Sequence, residues 1–128
     1  MIDYQITSGL EGGTVYASRM EVETIIAKLC GEVTRIFPQD KIDAILFGSY
    51  SRGDAEFGSD IDVLLLVDSS REAIAEKNWQ IGEIASVLFM DYGVMVSPIV
   101  ENRKYYQDRI DLLPFFGNID REGVKLSA

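Results

Sequence analysis

The stretch "DIDVLLLV", Asp60 to Val67, sets two carboxylates directly before five consecutive apolar residues, Val63 to Val67. A run this short and this apolar predicts a strand covered on both faces, and so a central place in a sheet. Alternate side chains of a strand share a face, which puts Asp60 and Asp62 side by side, roughly 6–7 Å apart. Two such anions in an apolar strand are costly unless something positive lies between them. Histidine is absent and Cys30 is the single cysteine, so oxygen must hold any metal, and Mg²⁺ suits two carboxylates completed by phosphate oxygens and water.

The segments around this strand supply its cover. Val22, Ile25, Ile26, Leu29, Val33 and Ile36 recur at three- and four-residue steps from Met20 and predict a helix ending before Pro38. "IDAILF", residues 42–47, reads as a short strand stopping at Gly48-Ser49. Ile74, Ile81, Ile84, Leu88 and Phe89 mark a second long helix, with serines before it and Gly93 past its end. "VMVSPIV", residues 94–100, predicts a third strand, with Pro98 favouring an edge or a bulge. The tail holds a short helix around Tyr105–Leu112, a break at Pro114, and Phe115-Phe116, an aromatic pair suited to docking the tail on the core. Residues 1–19, with glycine at 9, 12 and 13, read as an irregular arm, and 20–128 as a single domain. The expected fold is α/β (α+β): a small mixed sheet with helices packed against it.

Composition narrows the function. Twelve basic against twenty-one acidic residues give a formal charge of −9, which opposes direct binding of a long nucleic acid. Without histidine there is no Ser-His-Asp or Cys-His mechanism. One cysteine allows neither an internal disulfide nor a multi-cysteine zinc site, and fits a reducing, cytoplasmic address. No apolar run approaches the ~20 residues of a membrane span, and the first residues do not read as a secretion signal.

If a metal brings a phosphate, the phosphate needs its own cradle. Gly48-Ser49 stands where a strand ends: glycine allows close approach, and backbone N–H groups and the Ser49 hydroxyl can donate. Arg52 adds positive charge on the same side. Neither Gly-Ser nor Asp-x-Asp says much alone; a strand, Gly-Ser, ten intervening residues, Asp-Ile-Asp and a buried strand form a joint pattern that points to a nucleotide site. Neither a G-x-x-x-x-G-K-[ST] nor a G-x-G-x-x-G motif competes with it.

With these residues the sequence resembles the nucleotidyltransferase superfamily typified by DNA polymerase beta, in particular its minimal members, the MNT proteins. Gly48, Ser49, Gly53, Asp54, Ala55, Ser59, Asp60 and Asp62 match the motif G-S-x-x-x-G-(D/E)-A…S-D-I-D, and the likeness runs from about Met20 to the tail. The resemblance implies that Gly48 and Ser49 hold a triphosphate, with Arg52 beside them. It implies that Asp60 and Asp62 are the catalytic pair, binding divalent ions that position the triphosphate for nucleotidyl transfer with loss of pyrophosphate.

One departure bears on catalysis. Active members carry a third carboxylate on the next strand, and aligning "GVMVSPIV" to it puts Met95 there. In the family that group helps deprotonate the acceptor, and losing a positioned base costs about 10²–10⁴ in rate. Asp91, Asp54 and Glu56 are substitutes to weigh, and Ser97 shares the face of Met95 but is no base near neutral pH.

The resemblance also implies a partner. Minimal members commonly pair with a HEPN-domain toxin, which they neutralise by binding it or by transferring AMP to it. Three readings follow: a Mg²⁺- and ATP-dependent nucleotidyltransferase acting on a partner protein, a catalytically impaired nucleotide- or partner-binding module, and a small-molecule nucleotidyltransferase.

Overall fold

A computed structural model describes residues 18–56 and 58–126; the expected arm over residues 1–19 lies outside these except for Ser18 and Arg19. Ser18 opens the first helix, α1 (Arg19–Ile36), its hydroxyl accepting from the Glu21 N–H at 3.1 Å. The apolar stripe read from the sequence is the buried one: Val22, Ile25, Ile26, Leu29 and Val33 all face the core. The helix stops at Phe37, the residue before Pro38.

Strand β1 (Asp43–Phe47) leads through Gly48 into a single helical turn, α2 (Ser49–Arg52). Strand β2 (Ile61–Val67) follows, then α3 (Arg71–Tyr92), capped by the Ser70 hydroxyl and ending at Gly93. After β3 (Val96–Asn102) come α4 (Arg103–Arg109), α5 (Pro114–Glu122) and β4 (Val124–Leu126). The sheet order is β3-β2-β1-β4, with β2 parallel to β3 and the other pairs antiparallel. As its unbroken apolar run requires, β2 is central and Val63 to Val67 are all buried.

Alternation along β2 sorts two cores. Ile61, Val63, Leu65 and Val67 join α1 and α3 on one face; Leu64 and Leu66 join Tyr106, Phe116 and Ile119 from α4 and α5 on the other. Each fully buried Leu or Ile contributes about 1.5–3 kcal/mol over leaving it exposed, so covering both faces is what holds the central strand.

Several boundaries differ from the sequence reading. β3 starts at Val96 rather than Val94, because Val94 is buried against the α1/α3 face and Met95 only offers its carbonyl to the Ile61 N–H at 2.8 Å. That bond sets the parity of β3, so the nitrogen of Pro98 faces away from β2 and no ladder bond is lost at this edge strand. The short tail helix is Arg103–Arg109 rather than Tyr105–Leu112, since Asn102 caps it by accepting from the Tyr105 N–H at 2.8 Å. Pro114 does not merely break the chain; it starts α5, where a missing N–H costs nothing.

β4, three residues long, carried no periodic signal, yet it borders β1 with Leu46 opposite Val124. Gly123 permits this return. A β-carbon there would lie 2.4 Å from Ile45 Cγ2 and 2.5 Å from the Ile119 carbonyl oxygen.

Of the aromatic pair expected to dock the tail, Phe116 is buried against Tyr106 at 5.1 Å between ring centroids, whereas Phe115 stays half exposed, edge-on to Phe47 at 5.7 Å. Trp79 lies 65% exposed on α3, outside the core. Among the described residues no helix is long and apolar enough to cross a membrane.

Candidate nucleotide and metal site

The two ends of the joint pattern meet. β1 and β2 run antiparallel with Phe47 opposite Asp62, so the residue after the end of β1, Gly48, arrives at the carboxylate near the start of β2. Gly48 adopts φ 75° and ψ −155°, a region that only glycine enters readily. Its missing side chain is also required by space: a β-carbon would lie 2.3 Å from Asp62 Oδ2.

From Gly48 the chain turns at once into α2. The Gly48 carbonyl accepts from the Ser51 and Arg52 N–H groups, each at 3.1 Å, and from the Ser51 hydroxyl at 2.9 Å. Ser49 therefore sits at the first helical position, where a backbone N–H has no intrahelical acceptor. It is half-buried, beside the Gly48–Asp62 contact.

Asp62 and Asp60 project from the sheet face that carries Leu64 and Leu66, the face covered by α4 and α5. Burial pushes the Asp62 carboxyl above the usual range and the negative charge of Asp60 pushes it further, while Arg52 pulls it back. Two anions thus crowd one partly buried place, with a guanidinium close enough to act on one of them. Arg52 itself is held by Asp54 at 3.3 Å and Glu122 at 3.8 Å. Its pairing with Glu122 joins residues seventy positions apart and has no sequence signature.

On the other side of β2, Ser97 is the register partner of Asp62, and its hydroxyl donates to Asp60 Oδ2 at 2.9 Å. Met95, two residues earlier, carries no acid and is 49% exposed. Asp91 is removed from the site: it lines a groove between α1 and α3, on the opposite face of the sheet. Asp54 is engaged with Arg52, and Glu56 is exposed in the loop, where its N–H donates to the Ser59 hydroxyl. Among the described residues no group of three or more His, Cys, Asp or Glu side chains is placed to hold a metal.

One row across the sheet, Phe47–Asp62–Ser97, thus links the turn of β1, the carboxylates of β2 and the hydroxyl of β3. Phe115, edge-on to Phe47, extends that row with an exposed ring. The place of Phe115 beside the carboxylate row, as opposed to on the core, was not evident from its pairing with Phe116.

The α1/α3 groove, lined by Trp79, Glu83, Val87 and Arg35 among others, holds none of this constellation. The chemistry of paired carboxylates beside a glycine turn is the more specific sign of a site.

The family model described as Nucleotidyltransferase domain matches residues 26–115, a span that contains Gly48, Ser49, Arg52, Asp60, Asp62 and Met95. Two proteins of Methanocaldococcus jannaschii, whose names describe them as candidate protein adenylyltransferases, are similar to the chain. One is 37% identical over 99 residues, covering 77% of this chain and 97% of the relative. The other is 34% identical over 79 residues, covering 62% and 71%. A chain in a crystal structure of a toxin–antitoxin with AMP-PNP is similar at a TM-score of 0.48 and 22% identity, over 83% of this chain and 73% of that one. On the extent of the family match and the near-complete coverage of the first relative, the chain belongs to the nucleotidyltransferase domain family.

Proposed function

We propose that the protein is a Mg²⁺-dependent nucleotidyltransferase that moves AMP from ATP to a partner protein. The observation that carries this reading is the close approach of Gly48 to Asp62, which sets a glycine turn against the carboxylate that Asp60 also acts on. Gly48 and Ser49 hold the triphosphate, Arg52 adds charge beside it, and Asp60 and Asp62 hold the ion. The donor set suits Mg²⁺, which takes hard oxygen ligands and leaves positions for phosphate and water. Once bound, the ion neutralises charge developing on the phosphates.

Protein as acceptor is supported by the names of the two archaeal relatives. The partner proposed is a HEPN-type toxin, as the sequence resemblance implies. A chain of net charge −9 complements a ribonuclease with a basic RNA-binding face. Cys30, free and buried, suits the reducing cytoplasm proposed as its compartment.

A second reading is favoured by one observation. With Met95 at the expected third-carboxylate position and no third acid gathered among the described residues, the protein would bind nucleotide and partner but transfer slowly or not at all.

One experiment separates the two. The protein is incubated with α-labelled ATP, Mg²⁺ and the protein encoded by the neighbouring gene, with Asp60→Ala/Asp62→Ala as control. A mass gain of one AMP on the partner, lost in the control, supports transfer. No label, with complex formation unchanged in the double variant, supports the binding module.

A further inference from the structure

We infer that Ser97 is the positioning residue of Asp60, aiming its carboxylate at the divalent cation of the site. This deepens, and rests on, the nucleotide-site reading above.

The parallel register of β2 and β3 puts Ser97 beside Asp62, on the sheet face that carries both carboxylates. From there its hydroxyl reaches diagonally to Asp60 Oδ2 at 2.9 Å. Without that bond Asp60, which precedes the first residue of β2, would have its side chain fixed by no neighbouring strand. Ser97 thus holds one oxygen of Asp60 and leaves the other to a ligand. A hydrogen bond of this kind to a ligating carboxylate sets both its direction and the affinity of the ion.

The test uses Mn²⁺ as the probe and a non-hydrolysable ATP analogue, with free Mn²⁺ counted by its EPR signal. Ser97→Ala is expected to weaken Mn²⁺ affinity by about 10–100-fold, with Ser97→Thr restoring it and the urea midpoints of all three proteins alike. Unchanged affinity in Ser97→Ala would overturn the positioning role. Failure of the wild-type protein to bind the analogue at all would overturn the nucleotide-site reading itself, an outcome distinct from unchanged Mn²⁺ affinity in the Ser97→Ala variant.

Discussion

Gly48 and Asp62 are packed to the dimensions of glycine: a β-carbon at position 48 would lie 2.3 Å from Asp62 Oδ2. The backbone of Gly48, at φ 75° and ψ −155°, excludes other residues independently of that clash. Gly48→Ala is therefore expected to destabilise the protein by about 1–3 kcal/mol from backbone strain alone. It should also displace the Asp62 carboxylate and abolish Mg²⁺-dependent nucleotide binding. Urea unfolding and calorimetric titration check the two effects; an alanine variant with wild-type stability and affinity would contradict the packing described.

The crowding of Asp62 has a consequence for pH. Its carboxyl is raised chiefly by burial and then by Asp60, so in the metal-free protein its ionised form is disfavoured by folding. Because the folded value exceeds the unfolded one, stability is fully present below the ordinary carboxylate value of 3.8 and is lost as pH rises through the raised value. Asp62→Asn removes that loss. In EDTA, the variant is expected to be more stable than wild type at pH 7, with the difference shrinking toward pH 4; a difference that grows on acidification would contradict the assignment.

Met95 offers a test of the missing acid. It is 49% exposed, so Met95→Asp buries no charge and should leave the urea midpoint nearly unchanged. The Met95 carbonyl accepts from the Ile61 N–H, between Asp60 and Asp62 in sequence, so a carboxylate at position 95 would stand next to the pair. Transfer from labelled ATP to the partner is expected to rise, by up to about 10²–10⁴-fold if a positioned base is what is lacking. Unchanged transfer would move the missing acid to another position.

Tail and site are tied through one face of the sheet. Phe116 is 7% exposed and packs on Tyr106 over Leu64 and Leu66, so Phe116→Ala should cost about 3–5 kcal/mol. Phe115, 49% exposed beside Phe47, should cost far less on truncation. Equal losses measured by urea unfolding would contradict the division of roles between the two rings.

The central place of β2 was legible in the sequence for a physical reason. Val63 to Val67 form too long an apolar run for any strand but a covered one, whereas the antiparallel pairing of β1 with β2 that brings Gly48 to Asp62 is a matter of topology with no local signature. The start of β3 was less legible, because Val94 is apolar for packing below the sheet and not for pairing within it. β4 escaped notice because three residues carry no period; its place depends on the room left at Gly123. The hydrogen bond from Ser97 to Asp60 and the pairing of Arg52 with Glu122 arise from register and from the return of the tail, which no local pattern encodes.

The central claim, a metal-dependent nucleotide site built from Gly48, Ser49, Asp60 and Asp62, is tested most directly by calorimetric titration with a non-hydrolysable ATP analogue. The titration is run with and without Mg²⁺ on the wild type and on Asp60→Asn/Asp62→Asn. Binding that requires Mg²⁺ and disappears in the double variant is the predicted result. Binding of equal strength with and without Mg²⁺, or retained by the double variant, would contradict it.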